Sequence, residues 1–347
     1  MNFNASDVHV SHRLHLNESD SGNLYDFREV FCDEFSKIST YPDPGNTEMI
    51  NAISRHYAIS PEQIVPGNGV DEIILLLCLT LLKKKKSIIT SMSTFPGYET
   101  AARVCGGSVI HTELSGSLKC CIDNFVKSVN QDTAIAFLCN PHNPTGSVLS
   151  RSEVISFIEK MNELNVIPVI DEAYIQFADE NRHSVLSYIA DGGNAIVLRT
   201  FSKAYGLAGL RVGFAFGAEQ LIREVANTAL ALPFRINRFA QKMVPIILQH
   251  NDIFLKNILK TKGWIQYIET QFVSLGIEFI PSSTNFVCFR PPQGSCEYTE
   301  ATATAGAAMR DCGLFGLPGW VRASVSSQQD ADLLLSLTGR HYNEANR

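Results

Sequence analysis

The sequence lacks the features that are typical of nucleic-acid-binding and membrane proteins. Basic residues are not in excess, since the formal net charge of the 347 residues is −6, and no basic face stands out. The one basic run, Lys83–Lys86, is predicted to form a solvated turn. The apolar segment Ile73–Leu82 is ten residues long, about half of the roughly 20 residues that a membrane span requires. We therefore expect neither a nucleic acid nor a membrane as a partner.

The sequence also lacks a cysteine framework and a pattern of metal ligands. Its nine cysteines show no CxxC spacing, and the adjacent Cys120 and Cys121 have poor geometry for a mutual disulfide. The N-terminus has no apolar core of the signal-peptide type. An odd cysteine count without such a signal favours reduced thiols and a cytoplasmic location. His9, His12 and His15 are spaced by three, but no carboxylate or cysteine pattern accompanies them, so we interpret them as solvent-exposed or substrate-lining and expect no metal.

Apolar residues are plentiful: they make up 45% of the chain and can form a substantial core. Thr133–Cys139, Val166–Ile170 and Ala195–Arg199 are apolar runs, as is typical of parallel strands that are covered on both faces. The pattern changes after Gly217, where residues 219–271 are predicted to be largely helical. Short strands and a helix at Thr302–Cys312 follow, which predicts a second, α+β domain.

The rest of the chain is organised around Leu198–Gly217, which contains a lysine just beyond the end of a predicted buried strand. This residue, Lys203, is flanked by Thr200 and Ser202, with Arg211 eight residues further on. A desolvated lysine amine has a lowered pKa and becomes a nucleophile toward an aldehyde. Hydroxyl and guanidinium groups beside it are suited to hold a phosphate. The segment therefore predicts a covalent site for a phosphorylated aldehyde.

Three other segments are placed where an α/β sheet binds ligands. The glycine-bearing turn Gly67–Glu72 leads into an apolar helix, and a helix N-terminus favours a phosphate. Asp171 and Tyr174 follow a buried strand, and open α/β sheets bind ligands beyond the carboxyl ends of their strands. Asn143 lies in a loop whose two prolines make it rigid. One crossover helix and one strand fit between Asp171 and Lys203, so both side chains can reach the same crevice.

The string T-F-S-K-A-Y-G-L-A-G-L-R-V-G-F resembles the cofactor-lysine segment of the pyridoxal-phosphate (PLP) aminotransferases of fold type I. It is most similar to the histidinol-phosphate aminotransferase branch, which also includes threonine-phosphate decarboxylases. The loop N-P-H-N-P-T-G and the turn Y-P-D-P match the same family, and the resemblance spans roughly residues 14–335. It implies an α/β fold with a mostly parallel, seven-stranded type of sheet in a large domain of residues 40–240. Residues 1–39 and 241–347 would form a smaller α+β domain.

The resemblance also implies how PLP is held. Lys203 would bind PLP covalently, Asp171 would pair with the protonated pyridine nitrogen, and Tyr174 and Asn143 would bond the phenolic oxygen. An aromatic side chain would stack on the ring, and we assign this role to Tyr98 and expect Phe95 to be a core residue. The cup for the phosphate would consist of Gly69, Val70, Asp71, Thr200, Ser202 and Arg211.

Substrate-binding and intersubunit residues follow from the same resemblance. Tyr41, in Y-P-D-P, would reach the PLP phosphate of the neighbouring subunit, which implies a homodimer with shared sites; alternatively it is a surface tyrosine in a turn. Arg322 would bind the anionic end of the substrate, because a guanidinium suits a carboxylate or a phosphate; alternatively it forms a surface salt bridge. Asn17 matches the substrate-entry motif, in which Ser19-Asp20 replace the family's Asn-Pro.

The phosphate-specific enzymes carry a further arginine after a G-I-x-x-R turn. Cys312–Gly319 contains no arginine, which argues against a phosphorylated substrate such as histidinol phosphate and favours an amino acid or related amine. The predicted reaction is amino transfer from an amino donor to a keto acceptor with ping-pong kinetics, in which Lys203 moves the proton. A PLP-dependent decarboxylase or oxidase is the enzymatic alternative. A non-catalytic sensor is a third, which the lack of a preceding helix-turn-helix segment disfavours.

Overall fold

A seven-stranded sheet forms the centre of the computed structural model, which describes residues 11–20 and 27–345. Its strand order is β2-β8-β7-β6-β5-β3-β4, and a second sheet has the order β12-β13-β10-β9. The strands are β1 (His12–Arg13), β2 (Ile64–Gly67), β3 (Ser87–Ser91), β4 (Ser108–Thr112), β5 (Thr133–Cys139), β6 (Ile167–Asp171), β7 (Ile196–Thr200), β8 (Gly213–Gly217), β9 (Phe279–Ile280), β10 (Phe286–Phe289), β11 (Ala307–Ala308), β12 (Arg310–Asp311) and β13 (Val321–Ser324).

Helices cover both faces of the large sheet. They are α1 (Arg28–Phe35), α2 (Thr47–Tyr57), α3 (Val70–Leu81), α4 (Gly97–Val104), α5 (Ile122–Ser128), α6 (Arg151–Glu163), α7 (Glu180–His183), α8 (Leu186–Ala190), α9 (Glu219–Ala229), α10 (Arg238–Gln249), α11 (Asn251–Leu275), α12 (Ser295–Thr304) and α13 (Gln328–Ala345). Helix α6 begins with a capping box, since Glu153 Oε2 accepts from Ser150 N at 2.7 Å and Ser150 Oγ accepts from Glu153 N. No helix in the described ranges is both long and apolar enough to cross a membrane.

The large sheet is mostly parallel, as predicted. Strands β4, β3, β5, β6 and β7 run parallel to one another. Only β8 is reversed: it pairs antiparallel with both β7 and the edge strand β2, so β2 runs in the same direction as the other five. Every residue of β5 and β7 is buried, which is why these segments are apolar on both faces instead of alternating. Because the carboxyl ends of parallel strands lie at one edge, the segments after β5, β6 and β7 converge there.

The smaller sheet has its own core, which includes Leu14 together with residues from 265 onward. Helix α11 links the two cores: Phe254 and Ile258 pack in the core of the large sheet, whereas Ile265 and Phe272 pack in the smaller one. The division at residues 240 and 241 stays a prediction, and this packing favours a boundary inside α11.

One predicted helix is wrong. Thr302–Cys312 was expected to be helical, but α12 covers Ser295–Thr304 and the chain continues as strands β11 and β12. Gly306 follows the helix with φ of +87°, a conformation that glycine adopts without strain and that ends a helix. The chain then pairs with β1 and β13.

Candidate active site

A cavity of about 970 Å³ lies at the carboxyl ends of β5, β6 and β7 and reaches the strand β13. Residues far apart in the sequence line it, since it includes the segment after β1, the N-terminus of α3 and the loop after β7. The predicted site residues that line it are Asn17, Val70, Asp71, Asn143, Asp171, Tyr174, Thr200, Ser202, Lys203, Arg211 and Arg322. Three other predicted site residues, Tyr41, Gly69 and Tyr98, do not line it.

Lys203 presents a partly desolvated amine to the cavity. Its Nζ donates to the backbone carbonyls of Leu16 at 3.1 Å and Asn17 at 3.0 Å. Burial, followed by the positive charge of Arg322, lowers the pKa of Lys203 to about 8. About a tenth of the amine is therefore neutral at pH 7, far more than for an ordinary lysine, and only the neutral amine is a nucleophile or a base.

Asp171 is a buried carboxyl group at the end of β6. Its Oδ2 accepts from the Tyr98 hydroxyl at 2.5 Å and its Oδ1 accepts from Ala173 N at 3.0 Å. Burial raises the pKa of Asp171 to about 6, and the charges of Asp71 and Glu172 act in the same direction. None of the ion pairs in the described ranges involves Asp171. A cation brought into the cavity would stabilise its carboxylate form.

The predicted phosphate cup is assembled at the start of α3. Gly69, the residue before the helix, has φ of +80° and supplies no side-chain cap. A Cβ atom at this position would lie 2.6 Å from Arg211 Nη2, so the glycine leaves room for the guanidinium. Arg211 Nη2 also donates to Asp71 Oδ2 at 2.8 Å. The arrangement places a guanidinium beside the uncapped N–H groups of a helix, which is a favourable site for a phosphate.

The assignment of Tyr98 to ring stacking needs correction. Its side chain is fully buried, and its ring stacks on Phe137 at a centroid distance of 4.7 Å. From this buried position the Tyr98 hydroxyl donates a hydrogen bond to Asp171. Phe95, which was expected to be a core residue, lines the cavity instead. A Cβ at Gly97 would collide with the Phe95 ring, so this glycine is the sequence signal for the placement of Phe95.

The end of the cavity near the smaller sheet contains two guanidinium groups. Arg322 donates through Nη1 to Asn143 Oδ1 at 2.5 Å and through Nη2 to the carbonyl of His15 at 2.7 Å. Arg310 lies on the neighbouring strand, directly opposite Arg322. The Nε atoms of both are buried without a hydrogen-bond partner. The expectation that this region lacks a second arginine is therefore wrong: Arg310, four residues after Gly306, supplies it.

Two N-terminal residues complete this end of the cavity. Asn17 Nδ2 donates to the Tyr174 hydroxyl at 2.9 Å, while its Oδ1 has no partner. Burial, together with the charges of Arg310, Arg13 and Arg322, lowers the pKa of His15 to about 4. Of the other histidines of this segment, His12 contacts Asp330 at 3.5 Å and His9 lies outside the described residues.

Tyr41 lies elsewhere on the surface. Its side chain is 78% exposed and its ring stacks on Phe234 at 4.4 Å. It lines a separate small cavity beside α10. Within one chain it is therefore not part of the site, and its predicted contact with a neighbouring subunit stays a prediction.

Comparison with known proteins gives these residues a family context. Residues 14–336 match the family described as Aminotransferase class I and II. The chain belongs to this family. A histidinol-phosphate aminotransferase 2 of Bacillus cereus is 35% identical over 310 residues, covering 88% of this chain and 81% of that protein. Another histidinol-phosphate aminotransferase 2, from Carboxydothermus hydrogenoformans, is 31% identical, covering 84% of this chain and 80% of that protein.

Solved structures share the fold of this aminotransferase. The histidinol-phosphate aminotransferase of Sinorhizobium meliloti, in complex with pyridoxal-5'-phosphate, has a TM-score of 0.85 at 24% identity and covers 96% of this chain and 91% of its own. An L-threonine-O-3-phosphate decarboxylase of Porphyromonas gingivalis has a TM-score of 0.81 at 21% identity, covering 95% of this chain and 98% of its own. The predicted fold type I is thus confirmed.

The cofactor of this aminotransferase is PLP, and the residues of the cavity fit it. Asp171 is a buried carboxyl group without a cationic partner among the described residues, as a protonated pyridine nitrogen requires. Lys203 supplies an amine with a lowered pKa. The uncapped helix α3 and Arg211 suit the phosphate. Asn17 Oδ1 and Arg322 Nε are buried and still need partners.

Proposed function

We propose that this aminotransferase uses an amino donor with a phosphate, or a comparable dianion, at the end remote from its amine, and that Arg310 and Arg322 bind this anion. The observation that carries the proposal is the pair of buried Nε atoms that lack hydrogen-bond partners in the same cavity. Buried donors without partners are costly, and a guanidinium binds phosphate through two parallel hydrogen bonds.

The electrostatics of the pair support the same ligand. Burial and the nearby charge of Arg322 lower the pKa of Arg310, so the two guanidinium groups repel each other. Among the described residues, neither Arg310 nor Arg322 forms a salt bridge with a carboxylate, whereas arginines such as Arg103, Arg199 and Arg238 do. A dianion between them would relieve the repulsion and satisfy both Nε donors. Because Arg310 supplies a second guanidinium, the lack of an arginine in Cys312–Gly319 does not count against a phosphorylated donor.

The roles of the chain's own residues follow from their contacts. When bound, PLP supplies an electron sink for the charge that develops at the donor carbon. Lys203, with its lowered pKa, is the group that accepts and returns the proton at that carbon. Asp171 is suited to keep the ring nitrogen protonated, and Tyr98 helps to hold the carboxylate through its hydroxyl. We propose that Phe95, which lines the cavity, replaces Tyr98 as the residue that stacks on the ring.

The direct test compares matched donors. Purified enzyme with PLP is assayed with histidinol phosphate and with histidinol, each with a keto-acid acceptor, and the keto product is measured. We expect ping-pong kinetics and a much higher kcat/KM for the phosphorylated donor. Equal rates with both donors would contradict the phosphate assignment. Release of CO₂ or of peroxide without transfer of the amino group would instead favour the decarboxylase or the oxidase.

Substitution of Arg310 tests the binding residue itself. We expect Arg310→Gln to lower kcat/KM for the phosphorylated donor about 10- to 100-fold, the range for a lost hydrogen bond to a charged group. The rate with the unphosphorylated donor should change little. Arg223→Gln is the matched control, because Arg223 pairs with Glu219 on the exposed face of α9, outside the cavity. Equal losses with both donors would show that Arg310 does not recognise the phosphate.

We also propose that the enzyme is a homodimer in which Tyr41 completes the site of the partner. Two observations support this: Tyr41 is exposed, and it lines a cavity other than the one that contains Lys203. Two inactive variants, Tyr41→Ala and Lys203→Ala, can be mixed to form hybrid dimers. Activity should return if Lys203 of one subunit works with Tyr41 of the other, and should not return if both act in the same chain. The cytoplasmic location stays a prediction from the sequence.

A further inference from the structure

A fully buried arginine lies directly behind the cofactor site. Arg199, in β7, has a side chain that is only 1% exposed. Residues alternate along this strand: Leu198 packs in the core beside α3, whereas Val197 packs in the core on the other face of the sheet. Arg199 therefore projects to the face opposite α3 and does not line the cavity. A buried charge of this kind requires a specific set of partners.

Those partners are Glu172, Glu180 at the start of α7, and Ser184 directly after that helix. Arg199 Nε donates to Glu172 Oε2 at 2.9 Å, and Arg199 Nη2 donates to Ser184 Oγ at 3.1 Å. Glu180 Oε2 accepts from both Nη atoms at 3.1 Å. The Glu172 carboxylate is fully buried and also accepts from Val185 N and from Ser184 Oγ, each at 2.9 Å. Each nitrogen of the Arg199 guanidinium and each oxygen of the Glu172 carboxylate thus has at least one hydrogen-bond partner.

Stability alone does not account for such a pair. Taking a guanidinium and a carboxylate out of water costs several kcal/mol for each ion, and apolar residues of similar volume are often as stabilising. The core on this face of the sheet is largely apolar and includes Ile170 and Val197, while three titratable side chains from other elements, those of His56, Tyr57 and Tyr205, lie near the Arg199 guanidinium. An apolar pair at these two positions would continue that core. The location of the charges therefore calls for a role other than packing.

The pair sits at the two strand ends that carry the catalytic groups. Glu172 directly follows Asp171, and Arg199 is four residues before Lys203. The backbone joins the same two ends, since Glu172 N donates to the carbonyl of Leu198 at 3.0 Å. Side chains alternate along a strand, so Glu172 lies on the opposite face from Asp171. The negative charge of Glu172 nevertheless raises the pKa of Asp171 through the sheet.

We propose that Glu172 and Arg199 are positioning residues for the cofactor site, which act from the far side of the sheet by fixing the ends of β6 and β7 and by setting the electrostatic potential at Asp171 and Lys203. Neither residue touches the cofactor or the substrate. Within the pair the charges of Arg199 and Glu172 offset each other, and Glu180 adds a further negative charge at the more exposed end of the guanidinium. The inference concerns the cofactor site alone and does not depend on which donor the enzyme uses.

The test is an absorbance titration of the PLP-loaded enzyme, in which the covalent link between Lys203 and PLP changes colour as it loses its proton. The protonated link is cationic, so a more negative surrounding raises its midpoint and a more positive one lowers it. We expect Arg199→Met to raise the midpoint and Glu172→Gln to lower it. Each shift should be on the order of one pH unit, the size expected for a unit charge roughly 10 Å away at an effective dielectric constant of about 20. The other charged groups near Lys203 are the same in every variant: Glu18, Asp71, Arg211 and Arg322.

Opposite signs distinguish this role from a purely structural one, because a loosened fold would move both midpoints in the same direction or not at all. The double variant Glu172→Gln/Arg199→Met has the wild-type net charge, and its midpoint should return close to that of the wild type. Arg223→Met, on the exposed face of α9, is the control and should leave the midpoint unchanged.

The outcomes are decisive in each direction. Shifts of the same sign, or shifts no larger than that of the control, would overturn the proposal. If Arg199→Met does not fold, Glu172→Gln carries the test alone, since glutamine keeps the shape and one hydrogen-bonding oxygen of the glutamate. A lowered midpoint in this variant supports the proposal, and an unchanged or raised one refutes it.

Discussion

Asp171 offers a quantitative test of the site in the protein without its cofactor. Its carboxyl group is 4% exposed, and burial raises its pKa from the ordinary value of 3.8 to about 6. A carboxyl group with a raised pKa in the folded state contributes stability below its unfolded pKa, and this contribution is lost as the pH rises through the folded pKa. The apoprotein should therefore lose stability between about pH 4 and pH 6 because of this group.

The magnitude follows from the size of the shift. A change of roughly two pKa units at about 1.4 kcal/mol each gives about 3 kcal/mol of destabilisation above pH 6. Asp171→Asn removes the charge and keeps the shape. The apoprotein of this variant should be more stable than wild-type apoprotein by up to about 3 kcal/mol at pH 7.5. Near pH 3 the two proteins should be nearly equal, because Asp171 is then largely protonated in both the folded and the unfolded state.

Urea unfolding of wild-type and Asp171→Asn apoprotein across this pH range measures the difference directly, and the other carboxyl groups cancel in the comparison. With PLP bound the order should reverse, since the carboxylate then has a cationic partner and asparagine does not. The reasoning would be refuted by a difference that does not depend on pH, or by an apo variant that is less stable than the wild type at pH 7.5.

Three other outcomes test separate parts of the site. Borohydride reduction of the PLP-loaded protein should fix the cofactor on the peptide that contains Lys203 and on no equivalent peptide of Lys203→Ala, as mass spectrometry can show. Gly69→Ala should weaken PLP binding at least tenfold, because its Cβ would lie 2.6 Å from Arg211 Nη2; Gly192→Ala, also at positive φ but with nothing within 4 Å, is the control. Phe95→Ala should raise the dissociation constant of PLP about tenfold, the order of a lost stacking contact. Fluorescence titration measures this constant, and an unchanged value would show that Phe95 does not stack on the cofactor ring.

The sequence predicts the large sheet well because its strands are covered on both faces. Thr133–Cys139 is an uninterrupted apolar run, and β5 has those same bounds. The charged groups that matter come directly after such runs, so Asp171 and Lys203 can be assigned to one edge of the sheet. Patterns of this kind depend only on local sequence and on the geometry of parallel strands.

The errors arise where the answer depends on how elements pack together. Phe95 and Tyr98 are both aromatic and three residues apart, and only the orientation of α4 decides which one reaches the cavity. The helix predicted for Thr302–Cys312 includes Arg310, whereas in the structure Arg310 lies in β12, where it faces Arg322. Pairing of β11 with β1 and of β12 with β13 is a long-range effect that no local pattern reveals.

Arg322 and Asn143 were predicted as separate substrate and cofactor residues, yet the structure joins them. Asn143 Oδ1 accepts from Arg322 Nη1 at 2.5 Å, which fixes the amide so that its Nδ2 is left as the donor. A donor is the group that the phenolic oxygen of PLP requires at this position. The guanidinium that we assign to the anion of the donor therefore also orients the amide that faces the cofactor. We therefore expect binding of the anion to Arg322 and orientation of the Asn143 amide to be coupled through this one hydrogen bond.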